Sequence, residues 1–480
     1  MTERSRRPLA GVLAAMAVSL TGTRISAVAL PWFVLVTTGS TARTGLVALA
    51  ELAPYVLVKA FTGPLVDRTG PRTVSSVTDV LSAVAVTAVG LLHLMDVLSF
   101  WLLLLLVALV GAARGPGDLS KEIMVPVAAE RAGVPLERAA GLAGVTERLA
   151  STVGPAAGGA VVALLGAQTA LFAIACCFAA GSAVIVLLLP ARRRGSADRA
   201  AGRGPTDEAG GAEGADAAEG AEGAEGAGGG PATPGPGYWH RLGAGFRFLR
   251  GDPLLLTVIV MVGVTNLLDA AFATLLLPVW ARESGNGPGA IGLANSALGI
   301  AAVAGSLVAA AVGHRMRRRP VFFAGFLLAG APRFLILAVD VPLWAVLGVF
   351  ALGGFGAGFL NPILGALNFE RVPGELRGRV NALGDSLAWA GIPFGGLLAG
   401  AAVASFGLAP VLLAGAAAYF LTTNLTGLRP EWREMDRKPP QPRSTVEEAA
   451  DADAGAGTAP DGRGPAAEPG PTGDLTSARP

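Results

Sequence analysis

Eight ionisable side chains stand inside long apolar stretches of this sequence: Arg24, Glu51, Lys59, Arg114, Glu147, Arg148, Asp269 and Arg333. A charge at depth in hydrocarbon costs at least about 2.5–3.5 kcal/mol unless it is paired or faces water, so such residues mark a pathway or a binding cavity. Their chemistry is binding and release. A carboxylate in apolar surroundings can load and release a proton, and a guanidinium can hold an acid or an anionic group. Arg24 and Asp269 each lie about midway along an apolar run, one in each half of the chain, which suits a mutual pair or a shared contact; the other reading has Arg24 snorkelling or pairing close at hand. Lys59 lies eight residues after Glu51, on nearly the same helix side, so either Glu51 titrates or Lys59 holds it ionised.

Bond-making chemistry finds no support. His93, His240 and His314 have no metal-ligand company, and Cys176 and Cys177 are adjacent within an apolar run, where packing is their role. No Gly-x-x-x-x-Gly-Lys-Ser/Thr phosphate loop and no nucleophile elbow occurs. No cofactor, metal or enzymatic activity is expected.

The elements that position these residues are set by composition. Of 480 residues, 52% are hydrophobic and only 15% charged, with a mean hydropathy of +0.56, which places the chain in a lipid bilayer. The net charge of +2 comes from basic clusters in short loops, so no nucleic-acid partner is implied. Arg4, Arg6 and Arg7 precede an apolar run that continues through Val36, too long for a signal-peptide core, and it reads as an uncleaved first span.

Crossing about 30 Å of hydrocarbon takes about 20 residues of helix. Twelve runs qualify, at about 9–36, 46–65, 74–94, 97–118, 139–165, 169–189, 253–281, 289–313, 321–339, 342–367, 380–403 and 408–428. The expected organisation is a cytoplasmic N-terminus (1–8), a six-helix lobe (9–190), a linker (191–237), an interfacial helix (238–252), a second six-helix lobe (253–428) and a tail (429–480). Ala-Glu-Gly repeats such as 221–226, almost without large apolar side chains, make the linker a disordered segment, and the tail reads likewise. Trp239, Leu242, Phe246 and Leu249 recur at helical spacing among arginines, as in a helix lying along a membrane surface. Lys121–Arg138 reads as an amphipathic segment outside the bilayer.

Arginines and lysines fall on alternate loops, leaving little more than Arg43 and Arg282 opposite, so both termini are expected in the cytoplasm. The halves echo one another. Ala29-Leu30-Pro31-Trp32 recurs as Leu276-Leu277-Pro278-Val279, and Val134-Pro135-Leu136-Glu137 as Val372-Pro373-Gly374-Glu375. A duplicated six-span unit follows: an all-α membrane protein of twelve transmembrane helices in two pseudo-symmetric lobes.

Gly63, Asp67, Arg68, Gly70 and Arg72, spaced as Gly-x-x-x-Asp-Arg-x-Gly between the second and third spans, resemble the corresponding loop of the major facilitator superfamily, with Pro71 where the family usually carries a basic residue. Gly141 and the contiguous Gly154-Pro155-Ala156-Ala157-Gly158-Gly159 resemble that family's exporter motif, echoed more weakly by Pro393-Phe394-Gly395-Gly396. Ala50-Glu51-Leu52-Ala53-Pro54-Tyr55 looks like the matching span of bacterial drug, macrolide and enterobactin exporters.

The resemblance implies a monomeric secondary transporter in a bacterial-type plasma membrane. It implies export of a small amphipathic substrate in exchange for protons by rocking of the lobes, with Asp269 or Glu51 as the titrating acid. It also implies a latch in which Asp67 meets Arg379–Asn381 and Arg72 meets Asp118, with Asp79 and Asp385 in the same region. Glu147-Arg148, Arg114 and Arg333 are further cavity or inter-helix candidates. A uniporter or importer remains open within transport. Outside it stands a membrane scaffold or sensor whose linker and tail bind a partner, against which the buried charges weigh.

Overall fold

The computed structural model describes residues 7–189, 246–312, 315–372 and 374–436. The linker and all of the tail beyond residue 436 lie outside the described residues, as does most of the expected interfacial helix, of which 246–251 are helical. The side chains of Gly63, Asp67, Arg379 and Asn381, on which the central latch contact rests, are likewise outside the description.

Twelve helical spans run back and forth: α1 (Arg7–Thr38), α2 (Thr41–Phe61), α3 (Pro71–Leu94), α4 (Phe100–Ala132), α5 (Leu136–Leu165), α6 (Ala167–Leu188), α7 (Pro253–Glu283), α8 (Gly287–Val312), α9 (Arg318–Leu337), α10 (Leu343–Arg371), α11 (Gly374–Phe406) and α12 (Leu408–Asn424). The first eleven are long and apolar enough to cross a bilayer, and α12 is shorter. We call the end of the bundle with Arg7, the 62–70 loop and Pro430–Asp436 the proximal face, and the opposite end the distal face. Ser40 caps α2 and Ser99 caps α4, each accepting a backbone N–H at 3.3 Å, and Asp252 caps α7 in the same way at 3.0 Å.

Several helices depart from the expected runs for identifiable reasons. The segment expected to lie outside the membrane after the fourth span instead continues α4 as far as Ala132, because Met124, Val125, Ala128 and Ala129 prolong its buried stripe against α1. In the second lobe, α7 passes through a π turn at Phe272–Leu276, α9 breaks at Gly330 before Pro332, α10 divides between Ala357 and Leu360, and α11 divides between Trp389 and Ile392 before Pro393. α1 and α5 run unbroken.

In each lobe the last two spans are joined by a glycine in the left-handed region, Gly166 at φ +86° and Gly407 at φ +80°. Both preserve the same turn, where a Cβ is strained.

The first lobe has two apolar cores. Phe33, Val107, Leu171, Ile174 and Phe178 fill the distal one, while Leu9, Val12, Met124, Val125 and Ile185 fill the proximal one. Between them sits a sealed polar cluster. Lys121 Nζ lies 2.8 Å from Asp79 Oδ1, and the Ser19 hydroxyl donates to Asp79 Oδ2 at 3.1 Å. Lys121 and Asp79 are 2% and 4% exposed. This overturns the reading of Lys121 as a loop cation. The cluster ties α1, α3 and α4 together, with Asp79 in electrostatic range of Asp118.

The second lobe has one core running from Phe272, Phe334 and Phe350 to Phe322 and Trp432. Trp432, fully buried, belongs to a short 3-10 segment after α12 (Pro430–Asp436) that folds back on the start of α9. Arg371 clasps the same end, reaching Asp252 at 2.9 Å and Glu434 at 2.8 Å.

The lobes meet through small residues on two helix pairs, α2 with α11 and α5 with α8. A Cβ on Gly159 would stand 2.8 Å from the Pro288 carbonyl oxygen and 3.0 Å from Gly292 Cα, and one on Gly400 would stand 2.6 Å from the Thr41 carbonyl oxygen. The backbones therefore touch only because no side chain intervenes. Thr41 donates to the Gly400 carbonyl at 3.3 Å, Arg282 to the Leu35 carbonyl at 3.1 Å and Ser296 to the Thr152 carbonyl at 3.1 Å. All these contacts lie between mid-depth and the distal face.

Two outcomes follow. Lys121→Met leaves the Asp79 carboxylate buried without its cation and is expected to lower stability by about 3–5 kcal/mol, most of it recovered in Asp79→Asn/Lys121→Met, as read by thermal unfolding in detergent. Gly159→Leu is expected to part α5 from α8 on the distal side, lengthening the spin-label distance between positions 39 and 285.

Candidate functional site

The ionisable residues at membrane depth are sorted by the helices into distinct arrangements. Gly111 and Gly115 let α4 lie against α2: a Cβ on Gly115 would meet the Tyr55 carbonyl oxygen at 2.8 Å, and Gly111 packs on the Glu51 backbone. That approach carries Arg114 to Glu51, with the guanidinium Nη1 2.8 Å from Oε1 and both side chains 12% exposed. The Arg114 guanidinium also stacks over Tyr55 at 5.3 Å. Lys59 turns away from Glu51 to Glu122, at 3.3 Å, and lies 5.9 Å from the rings of both Tyr55 and Trp389, the latter on α11 of the other lobe. The partner of Glu51 is thus Arg114 on the neighbouring helix rather than Lys59 on its own.

Asp269 lies one turn before the π segment of α7 and pairs with Arg333 of α9 at 2.7 Å. The Arg333 guanidinium sits over Phe272 at 5.2 Å with Tyr419 alongside. The Arg333 side chain is 11% exposed and Asp269 40%, so the acid faces outward from the lobe while its cation is held within it. The pairing considered between Arg24 and Asp269 is therefore not formed. Asp269 is taken instead by a cation of its own lobe.

Arg24 has neither an ion-pair nor a hydrogen-bond partner among the described residues, and its Nε is buried. Gly154 gives it room, since a Cβ there would collide with the Arg24 Cβ. Glu147 and Asp118 lie within electrostatic range of Arg24, opposed by Arg114. Glu147 and Arg148 are exposed on α5 and Asp385 is exposed on α11. Asp385 lines a pocket among α7, α10 and α11 with Leu255, Ile259, Val262 and Leu364.

The Gly-Pro-x-x-Gly-Gly motif contacts two helices at once. Gly154 and Gly158 face α1, the latter with a Cβ position 3.0 Å from Ile25 Cα, while Pro155 and Gly159 face α8 of the other lobe. In the loop after α2, Gly70 adopts φ +85° and ends a short helix, Gly63–Thr69. Arg68 is exposed, and Arg72 donates to the Val186 carbonyl of α6 at 2.8 Å. The expected pair of Arg72 with Asp118 is not formed, because the start of α3 packs beside the end of α6.

Sequence reasoning missed the Lys121–Asp79–Ser19 cluster. Its signal was the register of Lys121, two turns after Arg114 on a helix whose buried stripe continues beyond it.

Among the described residues no group of three or more His, Cys, Asp or Glu side chains is placed to hold a metal ion. What the arrangement can do is hold paired charges at membrane depth inside each lobe.

Comparisons with known proteins agree with this geometry. The profile of the Major Facilitator Superfamily matches residues 12–276 and 259–460. The multidrug efflux pump Tap of Mycolicibacterium fortuitum is 30% identical over 448 residues, covering 91% of this chain and 99% of that protein. The Tap pump of Mycobacterium tuberculosis is 29% identical over 443 residues, covering 92% and 97%. The fold resembles the nucleoside transporter NupG, with TM-score 0.65 at 14% identity over 88% of this chain and 100% of that one. It also resembles a bacterial homologue of the lysosomal transporter Spinster in an inward-facing, unoccupied conformation, with TM-score 0.63 at 12% identity over 92% and 100%. With two six-helix lobes, and a family profile and relatives that span nearly all of the chain, this protein belongs to the Major Facilitator Superfamily of multi-pass membrane transporters.

Proposed function

We propose that this transporter exports a small amphipathic molecule from a bacterial-type cell in exchange for protons, by rocking its lobes about a central site, with both termini in the cytoplasm. The observation that carries the reading is the pairing of a buried arginine with a carboxylate inside each lobe, Arg114 with Glu51 and Arg333 with Asp269, next to a lobe contact made of backbone against backbone.

The physical logic is that of a charge that can be neutralised. A proton arriving on the carboxylate cancels the pair and leaves the guanidinium seeking another partner, and that changes which lobe arrangement is favoured. Asp269 suits this role because it is the more exposed member of its pair. Arg24, unpaired beside Gly154, is the guanidinium available to such an exchange in the first lobe. Export is supported by the exporter-like motif, which lies where α5 meets both α1 and α8, and by relatives that are multidrug efflux pumps. The loop from Gly63 to Arg72 retains the role of latch in this reading, through Asp67.

Proton release or uptake on adding a transported drug to proteoliposomes tests the coupling, and transport without any proton movement would remove it. Asp269→Asn is expected to insert normally yet lose coupled transport, and efflux at the wild-type rate from that variant would show the wrong acid has been chosen. Asp67→Asn is expected to retain transport while changing the proportion of inward- and outward-open molecules, read by spin-label distances across the proximal face.

A further inference from the structure

The proximal end of the second lobe is held by charges that the transport reading does not use. Arg371 stands in the last turn of α10, where a cation suits the helix end, and Asp252 caps the start of α7, where an acid does. The Arg371 guanidinium donates to Asp252 at 2.9 and 3.1 Å and to Glu434 at 2.8 Å, so one cation joins α10, α7 and the segment Pro430–Asp436 that follows α12. Beside it, Glu370 accepts from Arg318 of α9 at 2.6 and 2.7 Å. The tip of α10 is tethered to α7, to α9 and to the segment after α12.

That tip is a separate piece of helix. α10 is interrupted between Ala357 and Leu360, and the break gives Leu360–Arg371 a hinge at its distal end. The tip lines a cavity of about 160 Å³ through Leu364, Leu367 and Asn368, with Leu255, Ile259 and Val262 of α7 in another wall. Leu255 lies three residues after Asp252 and Leu367 four before Arg371, so the ion pair stands one turn proximal to both walls. A site for a drug-sized molecule needs about 300–1,000 Å³. Widening this cavity therefore requires the tip to leave α7.

The segment Pro430–Asp436 is docked in a way that suits release. Trp432 is fully buried, its ring 4.9 Å from that of Phe323 and 5.6 Å from that of Phe322, and Met435 joins the same core with Leu249, which precedes α7. Against that apolar anchor, the Trp432 indole nitrogen and Glu431 Oε2 are buried with no hydrogen-bond partner among the described residues, a cost that undocking removes. The Glu434 side chain is 47% exposed, which leaves its bond to Arg371 open to water. A contact so built holds under ordinary conditions and comes apart locally, at less cost than unfolding the lobe.

We propose that Pro430–Asp436 is a releasable strap, with Glu434 and Trp432 as its positioning residues. Docked, it holds the proximal half of α10 against α7 and keeps the cavity among α7, α10 and α11 narrow; released, it lets the tip of α10 swing aside and the cavity open toward the proximal face. This goes beyond the transport reading and does not depend on it, because access to the cavity is measurable without transport.

The test is the rate at which a bulky, water-soluble maleimide labels Ile259→Cys in the full-length protein in lipid nanodiscs. Cys176→Ala and Cys177→Ala remove the native thiols, and Ser284→Cys, in the distal turn between α7 and α8, is the control. Glu434→Gln is expected to speed labelling at position 259 about fivefold, the ratio that follows from losing one partly exposed charge-assisted hydrogen bond. Trp432→Ala is expected to speed it at least as much and Glu434→Asp little, with labelling at position 284 unchanged throughout. Should Trp432→Ala fail to fold, Glu434→Gln carries the test. Labelling at the parent rate in a folded Glu434→Gln protein, equal acceleration at position 284, or a parent that labels as fast at 259 as at 284 overturns the assignment. Strap-dependent labelling in a protein that moves no compound in proteoliposomes would keep the strap and overturn the transport reading. Drug transport by a protein whose labelling is indifferent to both substitutions would do the reverse.

Discussion

An ion dissolved in hydrocarbon must be matched, and the whole arrangement of this protein follows from how each one is matched. Lys121 and Asp79 are closed off between two apolar cores, with Ser19 completing the acid's hydrogen bonds, so they serve the integrity of one lobe. Arg114 with Glu51 and Arg333 with Asp269 are also bonded, but each is stacked on an aromatic ring, and Asp269 is open to its surroundings. Arg24, Glu147 and Asp385 are matched by nothing within bonding distance. The charges grade from sealed and paired to unpaired.

The same constraint explains the glycines. The helices that carry these pairs approach one another at glycines beside them: Gly111 and Gly115 by Glu51, Gly117 by Asp79 and Gly353 by Arg333. Between the lobes, Gly159, Gly292, Gly396 and Gly400 do the same for α5–α8 and α2–α11. A contact made of backbone against backbone has little side-chain area to lose when it opens, which is the property a rocking interface needs. The interrupted helices α7, α9, α10 and α11 all belong to the second lobe, and the π turn of α7 follows directly on Asp269.

Much of this was legible in the sequence, because a membrane simplifies the reading. Length and hydropathy give the spans, and the echo of Val-Pro-x-Glu gives the repeat. The charged residues at membrane depth stood out as a set, since their cost is independent of partners. Their partners were not legible. Helical spacing proposes neighbours on one helix, as with Lys59 and Glu51, whereas the observed pairs of Glu51, Asp79 and Asp269 are all between helices 42 to 64 positions apart in the chain. Lys121 was misplaced because a lysine near a span end resembles a loop cation until the stripe of Met124, Val125 and Ala128 beyond it is seen to be buried.

The two halves began as copies, yet what they preserve differs by element. The positions of Glu147 and Asp385 on α5 and α11, and the left-handed glycines Gly166 and Gly407 that follow those helices, correspond closely. The arginine pairs do not. In the first lobe the pair bridges its second and fourth helices, and in the second lobe it bridges the first and third. The proximal ends differ too. Arg72 is held by a carbonyl of α6, whereas the other lobe is clasped by Arg371, Asp252, Glu434 and the buried Trp432. Asymmetric ion pairs have unequal environments, so a proton need not discharge both together. The repeat has kept symmetry in where its helices begin and turn, and lost it in how its charges are matched.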